Sequence, residues 1–166
     1  LLACHHFSLL HCVTIYPTPL HEMNLKRMEY LGKFTGSVGL SDHSLVSKDG
    51  VNASLSAIYF GADTIERHFT VLPEDETRDG PVSIRKEHLK QLRNFEKLGR
   101  EDQKSYLEEN VPMYEKTLGS STRELSHEEL LNRAYYRGRF CNKIEGESIY
   151  NWEFSEHHRN LISGKL

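Results

Sequence analysis

Two rhythms of apolar and polar residues alternate along the first half of the chain. "FSLLHCV" (Phe7 to Val13) is a short apolar run, closed by "YPTP", whose two prolines forbid its continuation as a strand. In "NLKRMEYL" the side chains of Leu25, Met28 and Leu31 recur at helical spacing on one face. "SVGL" is a second short run. "GVNASLSAIYFGA" follows, with Val51, Leu55, Ile58 and Tyr59 at helical spacing and Gly61 as the expected stop. "DTIERHFT" is the third predicted strand. After a loop rich in Pro, Asp and Glu, Ser83 is placed to cap a helix carrying Leu89, Leu92, Phe95 and Leu98. This order predicts three β/α units at intervals of roughly 25 to 30 residues, the rhythm of a parallel sheet.

Parallel strands joined by helices put their carboxyl ends on one side, and ligands bind there in such folds. The runs end in polar groups: "TIYPTP", "SDH" and "ERHFT". Those three ends are expected to converge on one face, which gives a strand a reason to stop on Ser41-Asp42-His43.

The second half has another texture. "GREDQKSYLEEN" reads as a solvated, charged connector and "GSSTREL" as a linker. "SHEELLNRAYYRGRF" reads as a helix opened by a capping box of Ser126 and Glu129. "NKIEGESIYNWEF" has short aromatic-flanked runs around Gly146, the pattern of a hairpin. The expected organisation is β/α units over 1–100, a charged connector over 101–125 and a short helical or irregular tail over 126–166.

Composition narrows the classes. The 166 residues suit one domain, and the net charge of -3 leaves no basic excess for nucleic acid. No apolar span is long enough for a membrane. Cys4, Cys12 and Cys141 are odd in number and lack metal-site spacing, which favours a reducing, cytoplasmic setting. "LLACHHFSLL" lacks the basic leader and cleavage motif of a signal peptide, and the chain reads as starting inside a longer sequence.

The candidate chemistry sits at the strand ends. His43 and His68 follow successive strands, and neighbouring strands lie about 5 Å apart, so both imidazoles are in reach of one divalent ion. The alternative is two strand-end histidines bonded only to backbone. Glu66 shares a side with His68 and is placed to orient it or to bind the site's water; a buried ion pair of Glu66 with Arg or Lys is the competing reading. Ser41 shares a side with His43, where it donates to an anionic oxygen or merely closes the strand. Thr14 and Tyr16 share a side with Cys12 and offer hydroxyls suited to phosphate or sugar oxygens; Tyr16 packed under a loop is the bland reading. Cys12, with no base partner evident, reads as a small core residue. Arg137 and Arg139 in "YYRGRF" are too few for a nucleic-acid patch and suit docking or an anion contact.

"LLHCVTIYPTP", "GLSDHS" and "AIYFGADTIERHFT", in this order and spacing, resemble the N-acetylneuraminate (sialic acid) synthase family, which includes the legionaminic, pseudaminic and spore-coat polysaccharide synthases. The resemblance covers about Leu9 to Leu98. It implies a partial (β/α)8 barrel, here the last three β/α units plus a helical C-terminal tail. It implies a transferase that condenses phosphoenolpyruvate with an N-acetylated hexosamine, needs a divalent ion, usually Mn2+, and works as a homodimer at full length. By resemblance His43 and His68 are the metal ligands, Ser41 contacts the phosphate of phosphoenolpyruvate, and Tyr16 lies near the sugar. The acid/base glutamate and the lysines that hold phosphoenolpyruvate belong upstream, since a whole barrel takes about 250 residues. Catalytic residues are therefore unassigned within this chain. Two departures stand out: Thr14 replaces a common Asn, and Asp79-Gly80-Pro81-Val82 replaces Pro-Gly-Pro-Asp. The alternatives to such a synthase are a non-catalytic remnant that binds metal or a subunit, and another metal-dependent barrel aldolase.

Overall fold

The computed structural model describes residues 6–136, 141–144 and 146–150. They form two compact units, one ending at Glu124 and the other beginning at Leu125.

The first unit is built on a three-stranded parallel sheet in the order β1-β2-β3: β1 (Leu9–Cys12), β2 (Val38–Asp42) and β3 (Thr64–Arg67). Leu9 pairs with Val38 and Cys12 with Ser41; Ser41 pairs with Glu66 and Asp42 with Arg67. Because side chains alternate along a strand, this register sorts them into two sides. Val38, Leu40 and Ile65 face the helices. There Leu40 is wholly buried among Met23, Leu25, Met28, Ala53 and Ala57. Gly39, Ser41, Cys12, Thr64 and Glu66 face the other way, and Cys12, Thr64 and Glu66 are exposed. The sheet is thus covered on one side only among the described residues. Gly39 is required by a close approach: a Cβ there would stand 2.1 Å from the Thr64 carbonyl oxygen.

The helices in chain order are α1 (Arg27–Leu31), α2 (Val46–Asp49), α3 (Asn52–Tyr59), α4 (Lys86–Glu96) and α5 (Arg100–Asn110). α1 packs on β1 and β2, and α3 on β2 and β3, as helical crossovers between neighbouring parallel strands do. The helical faces of "NLKRMEYL" and "GVNASLSAIYFGA" are therefore as the spacing predicts, and α3 ends before Gly61, whose φ of 96° suits only glycine.

Three expectations are corrected. Ser83 is not the cap of α4; the helix starts at Lys86, the His88 ring accepts from the Arg85 N–H, and the Ser83 hydroxyl donates to the Asp79 carbonyl. Of the four apolar residues predicted on α4, Leu92 and Phe95 are buried, but Leu89 and Leu98 are 47% and 37% exposed. The connector "GREDQKSYLEEN" is helix α5. Gln103 and Leu107 form its buried stripe, and the Gln103 amide donates to the Phe95 carbonyl. With Val111 and Tyr114 this stripe completes a second core around Val51, Leu55, Ile84, Leu92 and Phe95. Nor does the segment after it trail free. Leu25 and Lys26 N–H groups donate to the Thr117 and Leu118 carbonyls, and the Arg27 guanidinium donates to the Ser121 carbonyl at 2.7 Å.

The second unit holds α6 (His127–Tyr136) and an antiparallel hairpin of β4 (Cys141–Ile144) and β5 (Glu147–Tyr150), with Gly146 at φ 88° in the turn. The tail is therefore not helical alone. The Ser126–Glu129 capping box is present: the Ser126 N–H donates to Glu129 Oε2 at 2.9 Å, and the Glu129 N–H to Ser126 Oγ at 3.3 Å. Arg137 and Arg139 lie outside the described residues.

Candidate active site

The carboxyl ends of the three strands converge, and the side chains past them form one cluster. The His43 and His68 rings are 5.3 Å apart between centroids, meeting edge to face. Tyr16 closes the group, its ring 5.4 Å from that of His43 and 6.5 Å from that of His68. Thr14 lies on the same exposed side of the chain as Cys12 and Tyr16.

Side-chain alternation explains why these residues meet. The β2–β3 register sets Ser41 against Glu66 and Asp42 against Arg67, so the following residues, His43 and His68, leave the sheet side by side. Both pairs are bonded. The Ser41 hydroxyl donates to Glu66 Oε1 at 2.6 Å on the open side. On the helix side the Arg67 guanidinium binds Asp42 Oδ2, with side-chain exposures of 3% and 0%. Asp42 also receives the Ser54 hydroxyl at 2.6 Å and the Ser44 N–H at 2.8 Å, and Arg67 donates to both the hydroxyl and the carbonyl of Ser44. A buried carboxylate and guanidinium need such partners to offset their lost hydration. The ion pair weighed for Glu66 belongs to Asp42.

Two neighbours of the imidazoles differ from expectation. Cys12 is exposed and not a core residue; its Sγ lies 3.7 Å from His43 Nδ1. Although the residue is exposed, the groups crowded around its Sγ desolvate the thiol and push it above the usual range; the Ser41 hydrogen bond opposes this, and the Glu66 and Asp42 charges add to it. The carboxylate beside His68 is that of Asp79 rather than Glu66: Asp79 Oδ2 is 3.4 Å from His68 Nδ1, while Oδ1 receives the Tyr16 hydroxyl at 2.9 Å. In the sequence Asp79 stands out only as part of Asp79-Gly80-Pro81-Val82, the departure from Pro-Gly-Pro-Asp. Its signal was a lone carboxylate in the Asp-Gly-Pro turn that follows the third strand.

Electrostatics favour a neutral ring at His43 and a neutral hydroxyl at Tyr16. Burial lowers the affinity of His43 for a proton, the neighbouring His68 lowers it further, and Asp42 and Glu66 act against this. Burial, then the hydrogen bond to Asp79, pushes Tyr16 up to about 12. Neutral imidazoles are the metal-ligating form.

Comparison with known proteins places these motifs in context. The NeuB family profile matches residues 2–101. The N,N'-diacetyllegionaminic acid synthase of Campylobacter jejuni is 43% identical over 89 residues, which are 51% of this chain and 25% of that protein. The pseudaminic acid synthase of Campylobacter jejuni is 31% identical over 146 residues, 87% of this chain and 37% of that protein. Among solved structures, the spore coat polysaccharide biosynthesis protein SpsE of Bacillus subtilis superposes with a TM-score of 0.51 at 28% identity, covering 72% of this chain and 33% of that one. The chain therefore spans between a quarter and two fifths of the length of these relatives.

Proposed function

This chain belongs to the NeuB family, and from that premise we propose that it supplies part of a synthase condensing phosphoenolpyruvate with an N-acetylated hexosamine to give a nonulosonic acid, assisted by a divalent metal. The three β/α units are read as the last three of a (β/α)8 barrel, the open side of the sheet facing the barrel interior. The observation that carries this reading is the His43–His68 pair, 5.3 Å apart at the ends of adjoining parallel strands, where barrel enzymes build their sites.

Two imidazoles fit an ion that must also accept substrate oxygen, because a two-histidine set leaves positions open. Among the described residues no group of three or more His, Cys, Asp and Glu is arranged to enclose a cation, so in this reading water or substrate completes the shell. Bound by His43 and His68, the ion, Mn2+ by family resemblance, supplies Lewis-acid polarisation of an aldehyde oxygen.

The chain's own residues then have defined tasks. Tyr16 and Thr14 present hydroxyls to the sugar. Ser41 turns from Glu66 to a phosphate oxygen of phosphoenolpyruvate. The Asp42–Arg67 pair keeps the two histidines side by side. In the reaction C3 of phosphoenolpyruvate bonds to the sugar's aldehyde carbon, water adds at C2 and phosphate leaves. The acid/base glutamate is expected upstream, so the chain by itself is expected to be inactive, and the complete enzyme a cytoplasmic homodimer. Among the described residues no helix is long and apolar enough to cross a membrane.

Phosphate release from phosphoenolpyruvate with a panel of N-acetylated hexosamines, set against phosphorylated aldoses, tests the reaction on the chain joined to its upstream coding sequence. Release with phosphorylated aldoses alone would move it to another class of barrel aldolase. Retained Mn2+ affinity and turnover in both His43→Ala and His68→Ala would overturn the metal assignment. A second reading is a non-catalytic remnant or subunit-binding fragment of such an enzyme. A stop codon or frameshift immediately upstream of Leu1 would select it.

A further inference from the structure

We propose that Asp79 is a positioning residue, one carboxylate that fixes the Tyr16 hydroxyl and holds His68 with its proton on Nδ1, leaving the Nε2 lone pair for ligation. This rests on the reading of His43 and His68 as ligands.

Three observations carry it. Asp79 Oδ1 accepts from the Tyr16 hydroxyl at 2.9 Å, and Oδ2 stands 3.4 Å from His68 Nδ1, so a single group spans residues that follow the first and third strands. The backbone beneath it is fastened. The Asp79 carbonyl receives the Ser83 hydroxyl at 2.7 Å and the Val82 N–H at 3.2 Å. Gly80 fits so closely against Glu74 that a Cβ would lie 2.0 Å from its carbonyl oxygen. The same segment is tied to the third strand: the Ile84 N–H donates to the His68 carbonyl at 2.8 Å, and the Thr70 N–H to the Ile84 carbonyl at 3.0 Å. The segment that carries Asp79 is therefore bonded to the backbone of His68 itself. A carboxylate on the far nitrogen of a ligating histidine selects its tautomer and strengthens it as a donor. Glu66, which the strand pattern would nominate for this task, is engaged by Ser41.

The test begins without metal. Long-range 1H–15N correlation spectra of the 166-residue chain, labelled at histidine, report the neutral tautomer of each ring. Expected are Nδ1–H as the main form of His68, its loss to the Nε2–H form in Asp79→Ala, and no change in Asp75→Ala, a neighbouring exposed carboxylate. Mn2+ titration of the same samples should show affinity about 10–100-fold weaker in Asp79→Ala. An Nε2–H ring at His68 in the unaltered chain, or a tautomer indifferent to Asp79→Ala, overturns the proposal, even if Mn2+ affinity falls. Absence of synthase activity in the chain joined to its upstream coding sequence leaves the tautomer result standing and counts against the function alone.

Discussion

Asp42 and Arg67 are directly opposed across β2 and β3, and each is followed in the chain by one of the two site histidines. The pair is buried on the helix side of the sheet, so it aligns the rim without entering it. Fixing the register at 42 and 67 fixes where residues 43 and 68 emerge, because a slip of one residue would turn one ring to the opposite side.

Removing one partner should therefore be worse than removing both. Arg67→Met leaves the Asp42 carboxylate buried and uncompensated, at a cost of roughly 3–5 kcal/mol. Asp42→Asn with Arg67→Met keeps shape without a stranded charge and should recover part of that loss. Urea denaturation of the three proteins checks the order. Equal midpoints for Arg67→Met and the parent would mean the pair carries no such strain-free balance.

Acid should weaken the fold through His43. Its affinity for a proton is lowered from the ordinary 6.5 by burial and by His68. As pH falls below that value the unfolded chain takes up a proton that the folded site resists, so stability declines towards the folded pKa. His43→Gln should flatten the dependence of the urea midpoint on pH between neutrality and pH 5, measured without metal.

Asp49 gives the opposite sign. It is 8% exposed, and burial raises its pKa above 3.8, with Lys48 opposing. A raised carboxyl favours the folded state below 3.8 and loses that advantage as pH rises through its folded value. Asp49→Asn is expected to raise the midpoint at pH 7 and to leave it unchanged below 3.8.

Gly80→Ala probes the seat of Asp79. Its Cβ would meet backbone atoms of Glu74, which a side chain's rotation cannot relieve. Overpacking of this kind costs about 1–3 kcal/mol. The variant should lower the midpoint and, if Asp79 swings away, lower the Tyr16 pKa from about 12 in an ultraviolet titration.

The β/α core was legible because its signals are local. Apolar runs ending at Pro17 or at Asp42-His43, and the helical spacing of Leu25, Met28, Val51 and Leu55, depend on neighbours in sequence. α5 escaped notice because Tyr106 and Leu107 are the only apolar residues among its eleven, and Gln103 is buried by tertiary contact with Phe95. Ser83 has the chemistry of a cap but spends its hydroxyl on Asp79. The proximity of His43 and His68 followed from strand adjacency, whereas Asp79 reaches them through a loop fold that periodicity does not encode.

The sheet, covered on one side among the described residues, divides its positions by parity into two evolutionary regimes. Leu40, Asp42, Ile65 and Arg67 answer to the helices, and a change at any of them is a change to the scaffold. Cys12, Thr14 and Glu66 answer to whatever the rim must bind. A lineage could retune its ligand at positions such as 12, 14 and 66 while the helix-facing positions, and Gly39 under its close approach to Thr64, stay still.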